Sequence, residues 1–268
     1  MDQFSPIGVF DSGVGGFTVA RQVRRLMPQE NVVYYGDSAH VPYGSRPVDE
    51  ILRMTRQMLA FLAGRGVKAV AVACNTISTL IDYYRNEYPF RIFSVIEAGA
   101  ASVGDLDADC VGVIGTPVTV RSKAYDRLIH GIRPEMKVAS APCPMLSTYV
   151  DAGDLRPEVI DPELKTAVDS ILAEVPVKHL ILGCTHYPLV AEHLNRLYPD
   201  IELIDPGIEQ ARTIQSYLSD NGLLRDDGNA GTLELNTSGD PVQYAESAVR
   251  FGLGKAKAIN KLVVTNPM

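Results

Sequence analysis

Residues 67–76, VKAVAVACNT, and residues 177–186, VKHLILGCTH, decide the fold between them. Val67–Ala73 is a continuous apolar run, the pattern of a strand buried on both faces of a parallel sheet. Val177–Cys184 repeats the type. Each run ends on a cysteine trailed by small hydrogen-bonding residues, Asn75 and Thr76 in one case, Thr185 and His186 in the other.

Outward from the first run, strand and helix signals alternate. Ile7–Phe10 predicts a strand and Phe17–Met27 an amphipathic helix, with Val19, Val23, Leu26 and Met27 on one face. Arg24 and Arg25 fall on its solvated side. Asn31–Gly36 is strand-like. Pro47–Leu62 predicts a helix with Pro47, Asp49 and Glu50 in its first turn. Ile92–Ile96 predicts a further strand. Around the second run the pattern starts again: Val111–Gly115 (VGVIG) resembles Ile7–Asp11 (IGVFD), and Val120–Ile132 predicts the helix that follows it. The alternation predicts a parallel α/β architecture, and the repetition an internal duplication that sets one cysteine at the end of an equivalent strand in each half. The hinge is expected near Ala98–Ala108. Glu209–Ser219, Thr232–Asn236, Val242–Phe251 and Ile259–Val264 predict a closing helix, strand, helix and strand.

The chain has 268 residues, 46% hydrophobic and 21% charged, with net charge −7. These are the proportions of an ordinary globular protein. The acidic balance argues against nucleic acid or an anionic membrane as partner. No apolar run is long enough to span a bilayer, and the N-terminus lacks the pattern of a secretory signal, so a cytoplasmic location is expected. Four cysteines occur, Cys74, Cys110, Cys143 and Cys184, with no C-x-x-C pair. They are expected as free thiols, Cys110 and Cys143 serving only to pack.

Parallel sheets bind ligands at the carboxyl ends of their strands. There the sequence places Asp11-Ser12-Gly13, the loop Gly36–Gly44, and the two cysteine turns. The glycine-rich turn lacks both the P-loop and the dinucleotide signatures. Cys184 and His186 are two residues apart and would share a side on extended chain. A metal reading of that pair lacks further ligands. Inverting an α-carbon requires a base on one face and an acid on the other. A free thiol, with a pKa of about 8.5, is only a few per cent ionised near pH 7, so each cysteine needs a helper. Asp11 for Cys74 and His186 for Cys184 are the candidates.

The segments IGVFDSGVGG (7–16), GDSAHVPYG (36–44), VACNT (72–76), IGTPVTVRSKAY (114–125), LGCTHYPL (182–189) and TSGDP (237–241) together resemble the glutamate racemases of the aspartate/glutamate racemase superfamily. The resemblance implies two pseudosymmetric parallel-sheet α/β domains, 1–98 with 208–268 and 99–207, with the active site in the cleft between them. It implies interconversion of L- and D-glutamate without pyridoxal phosphate, metal or other cofactor, in a homodimer that supplies D-glutamate for peptidoglycan synthesis. Cys74 would exchange the α-proton on the D side, helped by Asp11, and Cys184 on the L side, helped by His186. Asp11, Ser12, Tyr43, Gly44, Asn75, Thr76, Thr116, Thr119, Thr185 and His186 would contact substrate. One departure stands out. Where the family has a glutamate after an apolar segment, this chain has Cys143–Val150 leading to Asp151. That carboxylate is one methylene shorter, which puts its help to His186 in question. Activation by a cell-wall precursor is not expected, since the N-terminal extension used by some members is missing. The alternatives are a relative acting on aspartate, a non-catalytic small-anion binder, and a cysteine hydrolase or transferase using one of the two thiols.

Overall fold

The computed structural model describes residues 1–262. Ten strands form two sheets: β1 (Ile7–Asp11), β2 (Val32–Gly36), β3 (Ala69–Val72), β4 (Arg91–Ser94), β5 (Cys110–Gly115), β6 (Lys137–Pro142), β7 (His179–Gly183), β8 (Glu202–Ile204), β9 (Leu233–Thr237) and β10 (Ala258–Lys261). The six-stranded sheet runs β10-β9-β2-β1-β3-β4 and the four-stranded sheet β6-β5-β7-β8. Every pairing is parallel.

Period-two alternation splits the first sheet between two cores. Ile7 and Val9 join Val32, Tyr34, Ala69 and Ala71 on one face. Phe10 joins Val33, Tyr35, Val70 and Val72 on the other, under Met58 and Leu59 of the helix Val48–Gly64. The first of these cores continues without a break into the second sheet, through Val95, Ile96, Val113 and Ile114. The helix Pro206–Asp220 packs on the helices Phe17–Leu26 and Val95–Ala101, and the latter packs on Ala124–Ile132.

The duplicated pattern of the sequence has a topological counterpart. β2-β1-β3-β4 and β6-β5-β7-β8 have the same order, with Cys74 after β3 and Cys184 after β7. β9 and β10 extend the first sheet alone. Four local expectations are corrected. The predicted strand Ile92–Ile96 ends at Ser94, whose hydroxyl accepts the Glu97 N–H and starts a helix. Ala98–Ala101, where the expected hinge begins, belong to that helix, as alanine's helix preference favours. The single helix expected over Val120–Ile132 is two, Pro117–Ser122 and Ala124–Ile132, broken at Lys123 with φ 54°. Arg24 is not simply solvated: its guanidinium donates to Leu253 O at 2.8 Å. Of the predicted strand Ile259–Val264, Val263 and Val264 lie outside the described residues. No helix among the described residues is long and apolar enough to cross a membrane.

Lys68 interrupts the apolar run of β3's approach, and its side chain is fully buried. Its ammonium meets Glu30 Oε2 at 2.6 Å and donates to Gln3 O and Leu223 O at 2.8 Å each. Removing one member of a buried pair strands the other. Lys68→Met is therefore expected to lower the unfolding free energy by about 3–5 kcal/mol. Urea denaturation measures this, and adding Glu30→Gln should restore a large part of the loss.

Candidate active site

A cavity of about 530 Å³ lies where the strand ends of the two sheets face each other. Cys74 and Cys184 both line it, one from each sheet. Ser12, Tyr43, Gly44, Asn75, Thr76, Thr116, Asp151, Thr185 and His186 line it too. Asp11 and Thr119 do not reach the wall. They sit behind it, fully buried, Asp11 under Ser12 and Thr119 against Thr116.

On the first wall, Ser12 Oγ lies 3.5 Å from Cys74 Sγ and 3.5 Å from Asp11 Oδ1, so the hydroxyl connects carboxylate and thiol. Asp11 also accepts the Gly13 N–H at 2.8 Å and the Thr185 hydroxyl at 3.4 Å. Burial pushes the Asp11 carboxyl up, against the pull of His186 and the Gly13 N–H. Burial, with the Asp11 charge behind it, pushes the Cys74 thiol up to about 12.

The second wall has the opposite electrostatics. His186 Nδ1 lies 3.6 Å from Cys184 Sγ, and Nε2 lies 2.8 Å from Asp151 Oδ1. The turn after β7, not strand alternation, brings Cys184 and His186 together: His186 has helical backbone angles. Burial alone would pull this imidazole down. The Asp151 carboxylate and the Cys184 sulfur outweigh it and raise His186 well above the ordinary histidine range. The shorter carboxylate of Asp151 therefore reaches its ring, the point that the sequence left in question. Both ring nitrogens are thus engaged, Nδ1 with the thiol and Nε2 with the carboxylate.

The polar wall between the thiols is preset. Tyr125 OH donates to Asn75 Oδ1 at 2.8 Å, which fixes the amide. Asn75 Nδ2 then has no protein partner among the described residues, though it is buried at the cavity. Such a stranded donor asks for a ligand oxygen. Thr76 and Thr116 hydroxyls meet across the lobes at 3.4 Å. Tyr43 OH donates to Asp37 Oδ2 at 2.6 Å, and burial with the Asp37 charge pushes that phenol up, so it is held as a neutral donor to Asp37. Tyr125 was not singled out from the sequence, because its partner Asn75 lies on another element; Asp37 lies in the loop Gly36–Gly44, but nothing local marks it as the partner of Tyr43. Met145, Ser147 and Thr148 complete the wall that carries Asp151.

The cleft between the two parallel α/β sheets thus carries one thiol on each wall, each with a hydrogen-bonding neighbour and a carboxylate close behind. A sequence profile of the Asp/Glu/Hydantoin racemase family matches residues 18–214, and the chain belongs to that family. Among individual proteins it is similar to glutamate racemase 1 of Caldanaerobacter subterraneus subsp. tengcongensis, 34% identical over 94% of each chain. It is 39% identical to the glutamate racemase of Streptococcus sanguinis over 80% of this chain and 81% of that one. In structure it is similar to the Francisella tularensis glutamate racemase solved with D-glutamate: TM-score 0.90, 31% identity, 98% of each chain covered.

If Asp151 sustains the His186 cation, Asp151→Asn lowers the midpoint at which the His186 ring titrates, read by NMR of its ring nitrogens. The stability consequence has a definite sign. A histidine raised on folding contributes stability that is complete below its unfolded value of about 6.5 and is lost as pH rises through the folded value. The variant should therefore be less stable than the parent on the acid side, with the gap closing at high pH. A midpoint that does not move would remove Asp151 from this role.

Proposed function

We propose that this protein is a glutamate racemase that moves the α-proton between two thiols. The observation that carries the reading is the pair of buried cysteines, one from each sheet, lining one cavity. Relatives named glutamate racemase match most of the chain at 34–39% identity, which favours glutamate over the aspartate alternative.

Burial holds the Cys74 thiol high, which suits it to deliver a proton, and Cys184, 3.6 Å from His186 Nδ1, is the thiol placed to take one. L-Glutamate then meets a base on one face and an acid on the other. Cys184 takes the α-proton, the electron pair is held on Cα and its carboxylate, and Cys74 donates its proton to the opposite face. D-Glutamate leaves, with Cys74 as thiolate and Cys184 as thiol. The reverse reaction uses the same atoms in the other order. Asp11, through Ser12, manages the proton at Cys74, and Asp151, through His186, at Cys184. Ser12, Asn75, Thr76, Thr116 and Thr185, with the backbone at Tyr43 and Gly44, hold the substrate's polar groups; Thr119 supports Thr116. The proposal uses no cofactor, and it extends to a homodimer in the cytoplasm that feeds D-glutamate to peptidoglycan synthesis.

Two thiols make a distinctive isotopic demand. The proton removed is not the proton delivered. In deuterated buffer, early in the reaction of L-glutamate, the D-glutamate formed carries deuterium at Cα while the remaining L-glutamate keeps hydrogen. Deuterium appearing in both pools at equal rates would point to a single base. Cys74→Ala and Cys184→Ala should each slow racemisation by at least about 10²–10⁴-fold, the usual worth of a positioned acid or base. Loss in only one of them would favour the hydrolase-like reading.

A further inference from the structure

The carboxylate that meets His186 is carried on the short side chain of an aspartate, yet it makes a 2.8 Å contact. Something must bring its backbone close. Asp151 lies near the carboxyl end of the helix Leu146–Ala152, which stops at Gly153 with φ 72°. The last carbonyls of a helix lack partners within it. Arg250, at the end of the helix Pro241–Arg250, reaches this point. Its Nη2 donates to Asp151 O at 3.2 Å and to Ser247 Oγ at 3.2 Å. The two helices come from opposite lobes, since Pro241–Arg250 lies between β9 and β10 of the first sheet.

Two further contacts accompany this bond, although Arg250 itself is exposed. Gly153 leaves it room: a Cβ there would collide with Arg250 Nη1. Its carbon also lies 6.0 Å over the Phe251 ring. Phe251 is fully buried and meets the His186 ring edge-on, with centroids 6.2 Å apart. The same short segment thus holds the imidazole from one side and the backbone of its carboxylate partner from the other.

We infer that Arg250 is a positioning residue for the Cys184 half of the site, clasping the Asp151 backbone so that a short carboxylate can reach His186. It touches neither thiol and takes no proton. The inference rests on the proposed racemisation and deepens it. The ionisable groups facing His186 are Asp151 from its helix, Cys184 from its own turn and Asp11 from the first lobe, with the Arg250 charge beyond Asp151.

This gives a test that separates positioning from charge. Deleting Arg250 removes a positive charge, which on its own would make His186 easier to protonate. Loosening Asp151 does the reverse. Arg250→Ala is expected to lower kcat/KM for glutamate by about tenfold, the scale of one charge-assisted hydrogen bond. It should also move the high-pH limb of kcat/KM, and the His186 NMR midpoint, to lower pH. Adding Asp151→Glu should return both toward the parent, because the longer side chain no longer needs the clasp. A limb and midpoint that stay put or move upward in Arg250→Ala would overturn the inference. So would a double variant no better than Arg250→Ala alone. Parent protein that fails to exchange the glutamate α-proton would instead sink the proposed function, and this control is read first.

Discussion

The contact on which the rest depends is the close approach of the Asp11–Gly16 turn to the Cys184–His186 turn. Gly15 has no side chain, and a Cβ there would occupy the space taken by Thr185 Oγ1 and the His186 ring. Thr18 donates to Thr185 O at 2.9 Å, and Thr185 donates to Asp11 at 3.4 Å. These bonds close the floor of the cavity and fix the carboxyl ends of two separate sheets against each other. A reaction that must reach both faces of one carbon needs such rigidity, because small displacements of reacting groups cost rate steeply.

The two walls use one residue type in two electrical settings. Burial, with an acid behind it, pushes the Cys74 thiol up. Cys184 is backed by an imidazole that an acid makes cationic. The repeated topology supplies matching thiols, and their neighbours differ: a serine and a buried acid beside one, a histidine beside the other. A carboxylate lies on each side, linked to its thiol by a hydroxyl on one and by a ring on the other.

Much of this was legible in the sequence because it is local. The apolar runs ending at Cys74 and Cys184, the turn residues after β1 and the repeated strand-helix pattern are all short-range signals, and they carried the parallel fold and the thiol pair. The resemblance then supplied the remaining contacts. What was not legible depends on partners distant in the chain. Lys68 passes unnoticed within the apolar run Val67–Ala73 until Glu30 and Leu223 O are brought to it. Asn75 reads as a turn residue until Tyr125 fixes its amide. The reach of Asp151 could not be judged from its length, because it is set by where the helix end is held. The break at Lys123 was missed because helical periodicity runs on through a single left-handed residue.

The split make-up of the first sheet bears on how the protein is made. β1 to β4 leave the ribosome early, but β9, which covers the edge of β2, follows only after the whole second sheet has been synthesised. Until then β2 presents a bare edge of unpaired backbone groups, the kind of surface that recruits stray strands. The second sheet is drawn from one uninterrupted stretch of chain and carries no such debt. Its strands can pair as soon as they emerge, while the nascent first lobe waits for β9 to cover it.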